Sequence, residues 1–115
     1  MSDFKELLDL LVQFRDDRDW EQFHDSKNLA LALSIEAAEL NELFLWKKDA
    51  ESEKVNRERL REELADVFAY AIMLAGRNGL DVSEIVKEKI HKNAKKYPVE
   101  QCKGSADYCS DLYQE

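Results

Sequence analysis

Leu29-Ala-Leu-Ala-Leu-Ser-Ile-Glu36-Ala-Ala-Glu39-Leu-Asn-Glu42-Leu-Phe-Leu-Trp46 is the stretch on which the reading of this chain turns. It holds no Gly and no Pro and is dominated by strong helix formers. At about 100° per residue, Leu29, Ala32, Leu33, Leu40 and Leu43 gather on one side, and Glu36 and Glu39 fall on that same side. Glu42 falls on the far side, near Ala38 and Leu31, and reads as a surface or interface charge. The pattern predicts a helix from Ser26 or Lys27 to about Trp46 that carries two carboxylates within its apolar stripe.

Working outward, a charged spacer from Lys47 to Asn56 leads to a further helix expected over roughly Arg57 to Arg77. Between Leu64 and Ala75 its only charge is Asp66, so this helix is apolar nearly all round and belongs at the centre of a bundle or at an oligomer interface. Glu63 and Asp66 share a face with Leu60, Val67, Tyr70 and Leu74, which makes a second inward acidic pair. Upstream, Asp3 and Glu6 form a capping box, and Phe4, Leu7, Leu8, Leu11 and Phe14 recur at helical spacing over about residues 3 to 17. The segment Asp19 to Asp25 breaks that period while staying rich in aromatics, which suits a ligand wall. Downstream, Gly79 is a helix stop, Asp81 and Glu84 form another capping box, and a fourth helix runs to about Lys96 before Pro98. The expected fold is all-α, a four-helix bundle over residues 1–98, followed by a polar, loosely ordered tail over residues 99–115.

The bulk numbers narrow the function. A chain of 115 residues with three Gly and one Pro fits one helical domain. A net charge of -8 would repel a nucleic-acid backbone, and the run Lys92 to Lys96 is too short for a duplex-binding surface, so no nucleic-acid polymer is expected. A mononucleotide is different, because divalent cations can bridge its phosphates to carboxylates. The acidic start MSDFKELLDLL is unlike a signal peptide, and no apolar run is long enough for a membrane span, so a soluble cytoplasmic protein is expected. Cys102 and Cys109 match neither a zinc ribbon nor a CxxC pair and read as incidental thiols.

Four carboxylates turned toward apolar surroundings must either take up protons or be neutralised by cations. Oxygen-only donors at i,i+3 spacing on neighbouring helices suit a hard cation, Mg²⁺ or alternatively Mn²⁺, held by Glu36, Glu39, Glu63 and Asp66. Salt bridges to Arg59, Arg61 or Lys47 are the structural alternative. On the fourth helix Lys89, Asn93 and Lys96 stand on the stripe of Val82, Ile85 and Val86, so cations are expected to face inward as well, as a triphosphate would need. A basic last turn favoured by the helix dipole would look the same. Trp20, Phe23, His24 and Trp46 are candidates for stacking on a base or for packing in the core, and Trp20 with Trp46 could form an aromatic box. His24 either meets a base edge or a phosphate, or caps the second helix.

These motifs resemble a known family. Glu36-Ala-Ala-Glu39 through Trp46, then Glu62-Glu63-Leu-Ala-Asp66-Val and later Lys89 to Pro98, resemble the ExxE…ExxD signature of the MazG-like all-α nucleoside triphosphate pyrophosphohydrolases. Arg18 to His24 (RDWEQFH), followed by Asn28 and Leu29, is most similar to the dCTP pyrophosphatase branch. The resemblance implies magnesium-dependent hydrolysis between the α- and β-phosphates of a nucleoside triphosphate, dCTP or a related or modified deoxynucleotide, as house-cleaning of the nucleotide pool. It implies a homo-oligomer, a dimer or dimer-based tetramer. By that analogy Glu36, Glu39, Glu63 and Asp66 are catalytic metal ligands; Lys89, Asn93, Lys96 and Tyr97 meet the phosphates or sugar; Trp20, His24 and Trp46 line the base site. Tyr70 beside the metal pair excludes bulkier sugars or simply packs. Leu11 stands where vertebrate members of the branch carry a His, which puts selectivity for cytosine in question. A rival of another class is a non-catalytic helical binding or scaffold module with its carboxylates paired to lysines across an oligomer interface. A di-iron bundle would need Glu-x-x-His pairs, which His24 and His91 do not supply.

Overall fold

The acidic first turn and Arg15 in the last turn suit the dipole of α1 (Asp3–Asp17), the first element of a computed structural model that describes residues 3–106. The chain divides between Asp81 and Val82 into two compact units. In the first, α1 ends in a Schellman turn, with Trp20 N–H donating to Arg15 O at 3.0 Å and Asp19 N–H to Asp16 O at 3.1 Å. The left-handed position falls to Asp19 (φ 56), a residue type that tolerates it better than most. A single 3-10 turn, Glu21–Phe23, then leads to α2 (Ser26–Glu42). Asp25 caps α2 by accepting the Asn28 N–H at 2.7 Å, so the cap is Asp25 and not His24.

The second helix stops four residues short of its expected end. Its last turn tightens into i→i−3 bonds, Leu43 N–H to Leu40 O at 3.2 Å and Phe44 N–H to Asn41 O at 3.0 Å. Leu43 is thereby kept in the core while Trp46 swings out with a left-handed backbone (φ 65). The expected charged spacer contains a short helix, α3 (Asp49–Ser52), before α4 (Arg57–Arg77), which Asn56 caps by accepting the Arg59 N–H. Gly79 (φ 67) closes α4, with Leu80 N–H donating to Ala75 O at 2.9 Å.

The central helix packs chiefly on α2 and also on α1, as its near-continuous apolar surface implies. Leu29, Leu43, Ile72 and Ala75 are buried, Leu29 to 2% exposure. At Gly76 an added Cβ would stand 2.6 Å from a Leu8 methyl, so the missing side chain is what lets α1 lie against α4. Asn78 joins the far ends of two helices by donating to Ser26 Oγ at 3.1 Å. Between α1 and α4 an apolar groove of about 590 Å³ stays open, bordered by Leu10, Leu11, Phe14 and Phe68 with Asp66 at its edge.

The second unit holds α5 (Val82–Lys96) and, after Pro98, a short α6 (Val99–Cys102) where a loose polar tail was expected. Cys102 ends α6, and Cys109 lies outside the described residues. All six α-helices and the 3-10 turn are found without any strand among the described residues, so the fold is all-helical.

Candidate functional site

Glu36 and Glu39 are one turn apart on α2, and Glu63 comes from the start of α4, where the two helices pack. Their carboxylate oxygens can all lie within 4.8 Å of one another. Glu36 and Glu63 are half-buried, and each keeps one oxygen shielded from solvent with no hydrogen-bond partner. Burial pushes the Glu36 carboxyl up to about 7, helped by the hydrogen bond that its protonated form donates to Glu39 and by the charges of Glu39, Asp66 and Glu63. Glu63 is raised by desolvation and then by Glu39 and Asp66, against the opposing pull of Arg59. The Tyr70 hydroxyl is raised by burial and by Glu36, Asp66 and Glu39, so it stays protonated beside the cluster as a donor.

The gathering differs from the expectation of four convergent carboxylates. Three converge, and Asp66 does not come within the same distance of all of them. Asp66 is instead exposed at the edge of the α1–α4 groove. Asp66 contributes charge to the cluster, as its effect on Glu36, Glu63 and Tyr70 records. No ion pair of Glu36, Glu39 or Glu63 with Arg59, Arg61 or Lys47 is found among the described residues; Arg61 pairs with Glu58 at 3.7 Å instead. Oxygen donors with unpartnered lone pairs and mutual repulsion are the donor chemistry of a hard divalent cation.

Trp20, 42% exposed, stands at the N-terminal approach to α2. Its ring meets Phe14 edge-on, with centroids 6.0 Å apart, and lies 6.4 Å from His24. His24 borders a cavity of about 270 Å³ with Arg15, Leu29, Met73 and Arg77. Its Nδ1 is shielded and has no partner, and burial together with Arg15 lowers its pKa, which keeps the ring neutral. Trp46, beyond the opposite end of α2, is 91% exposed. The 17 residues of α2 span roughly 25 Å, so Trp20 and Trp46 of one chain do not close the expected box.

In the second unit Lys89 and Lys96 are exposed, whereas Asn93 and Tyr97 are half-buried. The exposure of both lysines departs from the expected inward turn, as the long stem of a lysine allows. Lys96 Nζ lies 5.7 Å from the Tyr97 ring centroid, and Tyr97 N–H donates to Asn93 O at 2.8 Å. Sequence reasoning passed over the partnership of Phe14 with Arg18, whose guanidinium carbon sits 3.6 Å from the Phe14 ring centroid. The i,i+4 spacing of an aromatic and a cation on α1 was its available signal.

Residues 31–112 match the MazG-like family. The chain is 44% identical over 108 residues to dCTP pyrophosphatase 1 of Rattus norvegicus, across 90% of this chain and 64% of that protein. It is 42% identical to dCTP pyrophosphatase 1 of Homo sapiens over the same shares. The match thus spans less than two thirds of the length of these relatives. Among solved structures it is similar to a pyrophosphatase from Archaeoglobus fulgidus, with a TM-score of 0.80, 41% identity, and coverage of 85% of this chain and 94% of that chain.

Proposed function

Because the chain belongs to the MazG-like family, we propose that it hydrolyses a nucleoside triphosphate between the α- and β-phosphates, releasing the monophosphate and pyrophosphate. The observation that carries this reading is the convergence of Glu36, Glu39 and Glu63 with shielded, unpartnered oxygens. Similarity to dCTP pyrophosphatases supports dCTP or a related deoxynucleotide as the substrate; turnover of a modified deoxynucleotide would make house-cleaning of the cytoplasmic nucleotide pool its role.

In this reading Glu36, Glu39 and Glu63 hold Mg²⁺, with Mn²⁺ as a substitute, and Asp66 completes the charge around it. The bound cation would polarise phosphoryl oxygens and neutralise charge on the leaving pyrophosphate. A carboxylate of the cluster takes the proton of the attacking water. The protonated Tyr70 hydroxyl donates to the sugar or to a phosphate oxygen. Lys89, Asn93, Lys96 and Tyr97 are assigned to the phosphates and sugar, and Trp20, His24 and Trp46 to the base. Since α2 separates Trp20 from Trp46 within one chain, stacking by both on one base requires two copies. Exposed Leu7, Leu10 and Phe68 around the α1–α4 groove support the same association, as part of a helical bundle assembled into a dimer or dimer-based tetramer.

A panel of canonical and modified deoxynucleoside triphosphates with Mg²⁺, scored for pyrophosphate against phosphate release, tests the proposal. Metal-dependent release of pyrophosphate is the expected result. Release of inorganic phosphate alone, or no turnover of any member, would replace the enzyme by the scaffold reading. In a scaffold, Mg²⁺ would leave thermal stability unmoved.

A further inference from the structure

The turn that presents Trp20 is bonded more completely than a connecting loop requires. Arg18 Nη1 donates to Phe14 O at 3.0 Å, which holds the guanidinium over the Phe14 ring. The same guanidinium carbon stands 6.0 Å from the Trp20 ring centroid. Gln22 Nε2 donates to Asp19 O at 3.0 Å and to Asp19 Oδ2 at 3.3 Å, bracing the left-handed residue on which the turn pivots. Trp20 O accepts from Phe23 N–H at 2.9 Å, and Phe23 O accepts from the Asn28 side chain at 3.1 Å. Phe14 is half exposed and Trp20 is 42% exposed, so this bonding fixes rings that each keep a wide face open to solvent. Burial of the covered parts accounts for holding the rings in place, but it does not require the open faces to be set at a fixed angle by a cation and a braced turn. A ligand that needs a preset flat surface does account for it.

We propose that Arg18 and Phe14 are positioning residues that hold the Trp20 ring, edge-on to Phe14 and next to the guanidinium, as a rigid stacking platform for a nucleobase. This rests on the assignment of Trp20 to the base side of the proposed substrate. Arg18 acts through Phe14 and Trp20 and not on the phosphates. Its charge, spread over an aromatic face, also makes that side of the platform disfavour a cationic base.

The test uses the full chain carrying Trp46→Phe, which leaves Trp20 as its only tryptophan. Titration with dCMP in the presence of Mg²⁺ is followed by Trp20 fluorescence quenching, and Trp20 anisotropy is read without ligand. Arg18→Met is expected to lower Trp20 anisotropy and to weaken dCMP binding about three- to ten-fold, the scale of an exposed cation–π contact with an edge-on ring pair. Binding of tripolyphosphate, followed by competition, stays unchanged. Arg18→Lys, which keeps the cation but not the planar fork, recovers part of the loss. Unchanged anisotropy and dCMP affinity in Arg18→Met would overturn the inference, as would equal losses for dCMP and tripolyphosphate. Hydrolysis is measured separately. Quenching by dCMP without turnover sinks the enzymatic reading and leaves this one standing, whereas turnover without an Arg18 effect on binding does the reverse.

Discussion

The α2–α4 seam and the Arg18–Phe23 turn are both rich in polar groups, yet they resolve them in opposite ways. In the turn, Arg18, Asp19, Gln22 and Asn28 satisfy one another or nearby backbone carbonyls. At the seam, Glu36 and Glu63 hold shielded oxygens without partners, and Glu36 is raised to about 7. A region whose polar groups are paired is complete in itself. One with unpaired, mutually repelling carboxylates depends on something supplied from outside.

The largest effect that would break this comparison is on turnover. Glu39→Gln or Glu63→Gln is expected to lower kcat by about 10²–10³-fold or more, the scale of deleting a group that stabilises transition-state charge. Helical circular dichroism should stay near that of the parent. Asp66→Asn, outside the convergent three, is expected to lose less than either if Asp66 serves only as a neighbouring charge, and as much if it binds metal directly. Equal activity of parent and Glu39→Gln would remove the seam from the chemistry.

Next in size is metal linkage. A cation that binds only the folded chain stabilises it by about 2.7 kcal/mol at a hundredfold excess over Kd. Thermal melts with Mg²⁺ should therefore rise for the parent, and not for Glu39→Gln. The same melts with Arg18→Met should keep the full metal response, since the turn is separate from the seam.

Without metal, pH sharpens the contrast further. The Glu36 pKa is raised from 4.5 to about 7, so the folded state binds the proton more tightly than the unfolded chain across that window. Stability should fall as pH rises from about 4.5 to 7, and Glu36→Gln should flatten the slope. His24 acts with the opposite sign. Its lowered pKa favours the neutral ring, so its contribution is present above 6.5 and lost as pH falls below it. Urea titrations of Glu36→Gln and His24→Asn across pH 4 to 8 separate the two slopes.

The helices were legible in the sequence because their signals are local: apolar period, Asp and Asn caps, and Gly79 as a stop. Glu36, Glu39 and Glu63 were legible for the same reason, being charges at positions an apolar stripe reserves for leucine. What the period could not show was how α1 takes up one side of α4. That contact, made at Gly76 by Leu8, leaves Asp66 on the groove side and not among the other three. Nor could it show the end of α2, because Leu43-Phe-Leu-Trp46 continues the helical pattern while the backbone has already turned. The Trp20–Trp46 box failed on length, since 17 residues of helix keep its two walls apart.

The smallest expected effect is at Trp46, where stability and binding should move in opposite directions. A non-glycine residue at φ 65 costs on the order of 1 kcal/mol of backbone strain, and a ring that is 91% exposed offsets little of it by burial. Trp46→Gly removes the strain but frees the unfolded chain, so its net stabilisation should be a fraction of that amount. Trp46→Ala keeps the strain and should change stability by no more than about 0.5 kcal/mol. If the ring serves the base, both variants raise KM for a deoxynucleoside triphosphate while leaving KM for tripolyphosphate in place. A large loss of stability in Trp46→Gly would mean that the ring is covered in the assembled protein, and would move Trp46 from the base site to the interface between copies.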